Sequence, residues 1–304
     1  MKQIVLIISI LLLIKIAQSQ TEPAFQINRY GTANFSGVMK NPAFAGVEEK
    51  HTLNMIYSDC KKWDLPEFSV SYSSAFGKKK NLGVGAYYSY SKLGYTSSKE
   101  SNISISYRMQ FNDKTDIRIG LSALTFYRLK YDVEKLLEGA ADPEDPLLQS
   151  LEENHDYLWY NTGLWFNYTS FYFGFAYLNF WQYDFVKQIS KFNPNSVEYS
   201  LITGYDFRLK TKWGINPNIQ MRKMSGNKTY FFDFSFFVDY SNLVFAGISY
   251  DYSDNDYPSD IKIVAGTLII KRIRIYGAYK FSTDKNMREK MGLSFWETGL
   301  RLQY

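Results

Sequence analysis

Cysteine occurs once in this 304-residue chain, at Cys60, and histidine twice, at His51 and His155. One thiol cannot build an intramolecular disulfide framework, and a Cys/His zinc cluster has almost no ligands to draw on, so no metal and no cofactor is expected. Beyond residue 20 no stretch reaches the roughly 18 consecutive apolar residues of a membrane helix. A large excess of one charge is also missing: 35 Lys and Arg face 30 Asp and Glu, for a net charge of +5. No Lys/Arg stripe marks a nucleic-acid surface, and that class of partner is set aside. Gly-x-Ser-x-Gly and phosphate-cradling glycine motifs are absent too. What abounds is aromatic: 26 Tyr, 23 Phe and 6 Trp are too many for a disordered chain. At 45% apolar residues and a mean hydropathy of −0.30, the chain is nevertheless too polar for a bundle of membrane helices.

Residues 1–19 read as a cleaved signal peptide. Lys2 supplies the positive start, Ile4 to Ile14 an apolar run broken only by Ser9, and Ala17-Gln18-Ser19 a small-x-small cleavage site before Gln20. The run, about 11 residues long, is short of the roughly 20 that span a bilayer, and Lys15 closes it. No Cys follows the site to carry a lipid. The expected organisation is therefore a leader at 1–19, an N-terminal periplasmic or lumenal segment at 20–50 and a β-barrel at 51–304.

Period-2 alternation carries the barrel expectation. Ile103, Ile105, Tyr107 and Met109 alternate with Asn102, Ser104, Ser106 and Arg108; Tyr199, Leu201 and Thr203 alternate with Glu198, Ser200 and Gly204. About fourteen such segments are predicted, near 51–58, 66–76, 81–91, 99–110, 115–127, 156–167, 169–179, 196–209, 211–222, 229–240, 243–253, 260–269, 271–281 and 291–304. An even count of segments this long suits an all-β, transmembrane, antiparallel up-and-down barrel contacting outer-membrane lipid, in which every backbone N–H and C=O is paired. Short links are expected after the even segments and long ones after the odd, which places both termini in the periplasm. Arg118, Arg208 and Arg222 fall on the polar face, where Arg208 can pair with Asp206 and Arg301 with Glu297. The inward Tyr87 and Trp165 argue for a filled lumen over an open one. Trp159 with Tyr160, Phe180 with Trp181, and Phe295 with Trp296 are candidates for interfacial girdles. A soluble sandwich also alternates, but Trp296, Thr298, Leu300, Leu302 and Tyr304 end the sequence as an aromatic-terminated strand similar to the assembly signal of outer-membrane barrels.

Catalysis finds little support. His155-Asp156 would need to share a face to form a proton relay, and neighbours on a strand point to opposite faces, so His155 is expected in a solvated loop. His51 has no obvious partner, and Cys60 is expected in a short outer loop. No enzyme activity and no small-molecule substrate are expected. The strongest local bias is acidic. Asp132, Glu134, Glu138, Asp142, Glu144, Asp145, Glu152, Glu153 and Asp156 face one cation, Lys135. Two short helices, Val133 to Leu137 and Leu147 to Leu151, are expected around a turn at Asp142-Pro-Glu-Asp-Pro146. This outer loop is open to three readings: simple solvation, docking of a partner protein, or a calcium site, whose twelve-residue pattern it does not match.

Asn41-Pro42-Ala43-Phe44-Ala45-Gly46 departs from the strand pattern. Asn before Pro starts a turn, Pro42 fixes φ, and the small residues permit close backbone approach. It resembles the Asn-Pro-Ala-Tyr-Ala-Gly box of the PorP/SprF proteins of the Bacteroidetes type IX secretion system, with Phe44 for the usual Tyr. The strand plan and the acidic stretch behind it are similar over the whole mature chain. The ending departs: where the family commonly has Ser-His-Glu, this chain has Phe295-Trp296-Glu297-Thr298 and keeps only Glu297. The resemblance implies an outer-membrane component working with other type IX components to secrete or anchor a large surface protein, often a gliding adhesin. An outer-membrane porin or nutrient diffusion channel is the alternative.

Overall fold

The computed structural model describes residues 37–48, 51–60, 66–138, 153–192, 197–209, 212–225, 230–253, 259–270, 272–283 and 294–304. The leader, the turn at 142–146 and the second acidic-loop helix lie outside the described residues.

A one-turn helix α1 (Gly37–Lys40) and a 3-10 turn (Pro42–Phe44) precede the strands. These are β1 (Thr52–Asp59), β2 (Glu67–Phe76), β3 (Leu82–Leu93), β4 (Thr96–Asn112), β5 (Thr115–Tyr131), then α2 (Val133–Glu138), β6 (Asn154–Tyr168), β7 (Phe171–Asp184), β8 (Ile189–Phe192), β9 (Glu198–Tyr205), β10 (Phe207–Arg208), β11 (Trp213–Met224), β12 (Tyr230–Tyr240), β13 (Val244–Ser253), β14 (Asp260–Ile270), β15 (Ile273–Ser282) and β16 (Ser294–Gln303). Each pairs antiparallel with its neighbours, and β16 pairs with β1 over Asp59↔Trp296 to Thr52↔Gln303, closing the ring. β8 adds only to the far end of β7, and β10 continues β9, so the ring has fourteen positions.

Burial is inverted relative to a soluble protein. Ile105 is 55% exposed while Ser104 and Ser106 are at 0% and 1%. Period-2 alternation puts apolar chains on the outer wall and polar ones inside, the arrangement a barrel needs when its solvent is hydrocarbon.

The even links are short. Ser241 and Asn242, at φ +55° and +56°, make one of them, closed by Leu243 N donating to Tyr240 O at 2.9 Å. The opposite end differs from expectation at β3–β4. Both strands extend until only Gly94 and Tyr95 separate them, because Leu93 still pairs with Thr96. β4 and β5 reach 17 residues each, against 10 and 11 in β13 and β14. With about 3.4 Å per residue, this side rises on the order of 20 Å further along its strands. Among the described residues the tall strands β4 and β5 thus form a raised wall relative to β13 and β14.

Two further expectations are corrected. His155 is not in a loop but in β6, opposite Leu129, with Tyr131 edge-on at 5.8 Å and Tyr157 parallel at 6.3 Å. Cys60 sits just past β1, where the link to β2 begins, and is fully buried there. Trp159 does not join a girdle: it is 7% exposed and stacks on Tyr127 at 4.3 Å on the inner face, since only one of two adjacent strand residues can face lipid.

Candidate functional site

Residues 37–48 lie within the barrel as a plug packed on its inner wall. The sequence dictates its local shape. Asn41 adopts the extended conformation that a following proline imposes (φ −153°, ψ 117°), and its Oδ1 accepts from Ala43 N at 2.9 Å, capping the 3-10 turn. Phe44 N donates to Asn41 O and Val47 N to Phe44 O, each at 3.0 Å. Gly46 closes the box in the left-handed region at φ +71°, where a side chain would also press on the main chain of Gly83.

The wall is shaped to receive it. Gly83, Gly85, Gly120 and Gly163 alternate onto the inner face of β3, β5 and β6, and an added Cβ would overlap Ala45 O, the Val38 side chain, Ala43 N or Asn41 Oδ1 respectively. These glycines form a groove in which main chain lies directly on main chain. Ala43 and Ala45 are fully buried in it. Polar bonds fix the register. Asn41 Nδ2 donates to Leu164 O at 3.0 Å and Phe175 O at 3.2 Å, Gly46 N donates to Ser73 Oγ at 2.8 Å, and Ser106 Oγ donates to Ala45 O at 2.6 Å. Phe44 meets Trp165 edge-on at 4.9 Å, and Val38 and Met39 pack on Tyr87. Phe44 is thus seated by ring packing.

The far wall holds the plug by charge. Lys40 Nζ donates to Gln220 Oε1 at 2.7 Å, and Arg301 pairs with Glu48. Glu297, expected to partner Arg301, faces Lys262 at 3.5 Å. Lys280 bridges Asp251 and Asp260 at 3.1 and 2.8 Å. The Arg208 to Asp206 pair is present at 3.3 Å, and Arg208 also reaches Asp239 at 2.9 Å. Between the plug and β7, β9 and β11 remains a cavity of about 300 Å³ edged by Phe44, Trp165, Tyr172, Asn216 and Arg301.

The other predicted residues lie apart. Trp296, Thr298, Leu300, Leu302 and Tyr304 alternate along the outer face of β16 and its end, at the seam with β1. Of the acidic stretch, Asp132, Glu134, Glu138, Glu153 and Asp156 are described, at the raised end, where Asp156 pairs with Arg128 at 2.6 Å and Glu153 with Lys130 at 2.9 Å; Asp142, Glu144, Asp145 and Glu152 lie outside the described residues. Lys135 donates to Asp132 at 2.7 Å, which holds that carboxyl below its usual range. Among the described residues no cluster of three or more metal-ligating side chains occurs. His51, for which the sequence offers no obvious partner, has two: its Nδ1 lies 2.7 Å from Tyr72 Oη and 2.9 Å from Ser74 Oγ. Sequence reasoning overlooked the glycine groove, although its signal, glycines spaced on polar faces, was present.

No curated protein matches the chain. Solved structures share its fold. A TodX deltaS2 mutant, a monoaromatic hydrocarbon channel, superposes with a TM-score of 0.55 at 11% identity, over 92% of this chain and 99% of that one. The CymD monoaromatic hydrocarbon channel gives 0.51 at 13%, over 91% and 95%, and an outer membrane protein of Acinetobacter baumannii 0.50 at 8%, over 84% and 97%. At such identities the likeness is one of architecture, that of outer-membrane barrels. The family model for type IX secretion system membrane protein PorP/SprF matches residues 23–296, from ahead of the plug into β16, and this outer-membrane barrel belongs to that family.

Proposed function

We propose that the protein is a non-catalytic type IX component that positions a large secreted or surface-anchored partner, of the gliding-adhesin kind, with the turn end of the barrel and both termini in the periplasm. One observation carries this: the family's box is not a linker but the plug itself, seated in a glycine groove that leaves main chain no room to shift. A barrel so filled suits holding and docking better than passage of solute. The acidic stretch at the raised end is a candidate surface for that partner, and the outward alternation of β16 a candidate assembly signal.

The test is Gly163→Val in the native host, which directs a side chain into Asn41. Retention of the barrel in the outer membrane with loss of copurifying secretion components and of surface export is the expected result. A dislodged plug, detected by protease access, with unchanged partners and export would refute the reading. The cavity of about 300 Å³, with its aromatic lining, favours a second reading as a small-solute channel, the activity named for the TodX and CymD barrels. Ion conductance of the purified wild type in a planar bilayer separates the two.

A further inference from the structure

A closed barrel has no strand edge, but unequal strand heights bring one back. One ladder row crosses the raised wall from Glu100 through Tyr127, Tyr157 and Asp184 to Ile189, and among the described residues it stops there. β5 reaches this height past a bulge between Ser122 and Thr125, both fully buried inside, which changes the phase of its alternation and turns Tyr127 inward. β7 rises with it. Leu178 still lies opposite Glu198 of β9, and Glu198 opposite Met224 at the end of β11, but β7 runs on from Asn179 to Asp184. That extension pairs with β6 on one side and, from Trp181↔Phe192 to Asp184↔Ile189, with β8 on the other. β8 itself has no second neighbour among the described residues.

Hydrogen-bond direction fixes what this edge offers. Phe185 N donates to Asp156 O at 3.0 Å, so Phe185, Tyr183 and Trp181 turn their main-chain groups to β6, and Gln182 and Asp184 turn theirs to β8. Their partners Lys191 and Ile189 therefore face β7, and the N–H and C=O of Ser190 and Phe192 point away from it into the open edge. Side chains follow the same register. Phe192 lies with Trp181 on the outer face, where Trp181 Nε1 donates to Ser190 Oγ at 2.7 Å, and Lys191 lies with buried Gln182 on the inner face. Ile189 and Phe192 are each 48% exposed. Residues 181–192 hold two lysines, Lys187 and Lys191, and one carboxylate, Asp184, which already accepts from Val186 N and Lys187 N at 3.0 Å. Neither lysine forms an ion pair among the described residues.

We propose that the free edge of β8 is a docking site for an extended strand of a partner protein, one in which apolar residues alternate with Asp or Glu. Main chain in the extended conformation presents donors and acceptors at the spacing of those on Ser190 and Phe192, and strand addition satisfies both edges at once. An added strand continues the alternation of the sheet. Its outer residues pack beside Phe192 and Trp181, which favours apolar side chains, and its inner residues come beside Lys191, which favours carboxylates. The proposal rests on the docking role above and deepens it by naming the partner's chemistry.

The full-length barrel in detergent micelles is titrated with a fluorescent heptapeptide of alternating Val and Glu at about 0.15 M ionic strength. Its fully N-methylated form, which cannot donate to a ladder, and a Val/Lys heptapeptide are separate arms. The wild type should bind the Val/Glu peptide saturably and the other two at least about tenfold more weakly. Ser190→Pro removes an edge N–H without touching a bond to β7 and should weaken binding by a similar factor, whereas Ser190→Ala, which loses only the hydroxyl, should bind as wild type. Lys191→Glu should reverse the preference between the two charges. Heat-modified gel mobility confirms that every variant is folded. Absence of saturable binding, equal binding of the N-methylated peptide, or wild-type affinity in Ser190→Pro would each overturn the site. So would binding that appears only after deletion of 139–152, which assigns the edge to the chain's own loop, or a dimer that Ser190→Pro dissolves, which assigns it to a second copy. Because this readout is binding by the purified barrel, its failure leaves the plug and export experiments standing, and the reverse also holds.

Discussion

At the scale of single residues, the inner and outer walls obey opposite rules. Ile119 is 51% exposed on the outer face of β5, while Arg118 beside it is 1% exposed. Ile119→Arg is expected to cost about 2 to 4 kcal/mol near the membrane midplane and to reduce the folded fraction seen by heat-modifiable mobility. Undiminished folding would mean that this wall does not face lipid. Inside, Asn41→Ala removes an acceptor for Ala43 N and donors to Leu164 O and Phe175 O, so buried main-chain groups lose partners, at about 1 to 3 kcal/mol each. The barrel should survive, and protease cleavage within 37–48 should quicken. Alternation made Ile119 and Arg118 legible from sequence, because strand geometry alone assigns their faces. Asn41 could be read as a turn former but not as a bolt on β6 and β7, since its acceptors lie more than 120 residues away.

At the scale of elements, the fourteen positions and most of their limits were legible, whereas strand heights and bulges were not. The polar Thr96 to Lys99 carries no apolar alternation, yet it extends β4 because β3 and β5 offer a partner on each side. The phase change after Ser122 has no sequence mark and decides which way Tyr127 points. The proposed orientation puts the tall β4 and β5 outside the cell. In a Cys60→Ser background, Tyr95→Cys should react on intact cells with a membrane-impermeant maleimide, and Lys79→Cys, in the opposite turn, should not. Labelling at Lys79→Cys alone would invert the barrel. The plug was half legible. The box signalled close backbone approach and Gly83, Gly85, Gly120 and Gly163 signalled bare wall, but only three dimensions bring the two together.

At the scale of the whole molecule, the plug and the charged far wall make one body. Removal of residues 20–48 behind an intact leader should leave a folded barrel with ion conductance at least about tenfold above wild type in a planar bilayer. Equal conductance would mean that side chains of the wall, not the plug, set the closure. The position of the plug in the chain has a temporal meaning. It precedes β1, and its groove belongs to β2 through β7, so an unclosed half-sheet can already wrap it. Its remaining ties, Gln220 and Arg301, arrive only with β11 and β16. No segment need thread a finished ring. The box can act as a mandrel around which the sheet is wound, and damage to it should appear first as slow or incomplete closure of the β1–β16 seam, before any defect in the mature barrel.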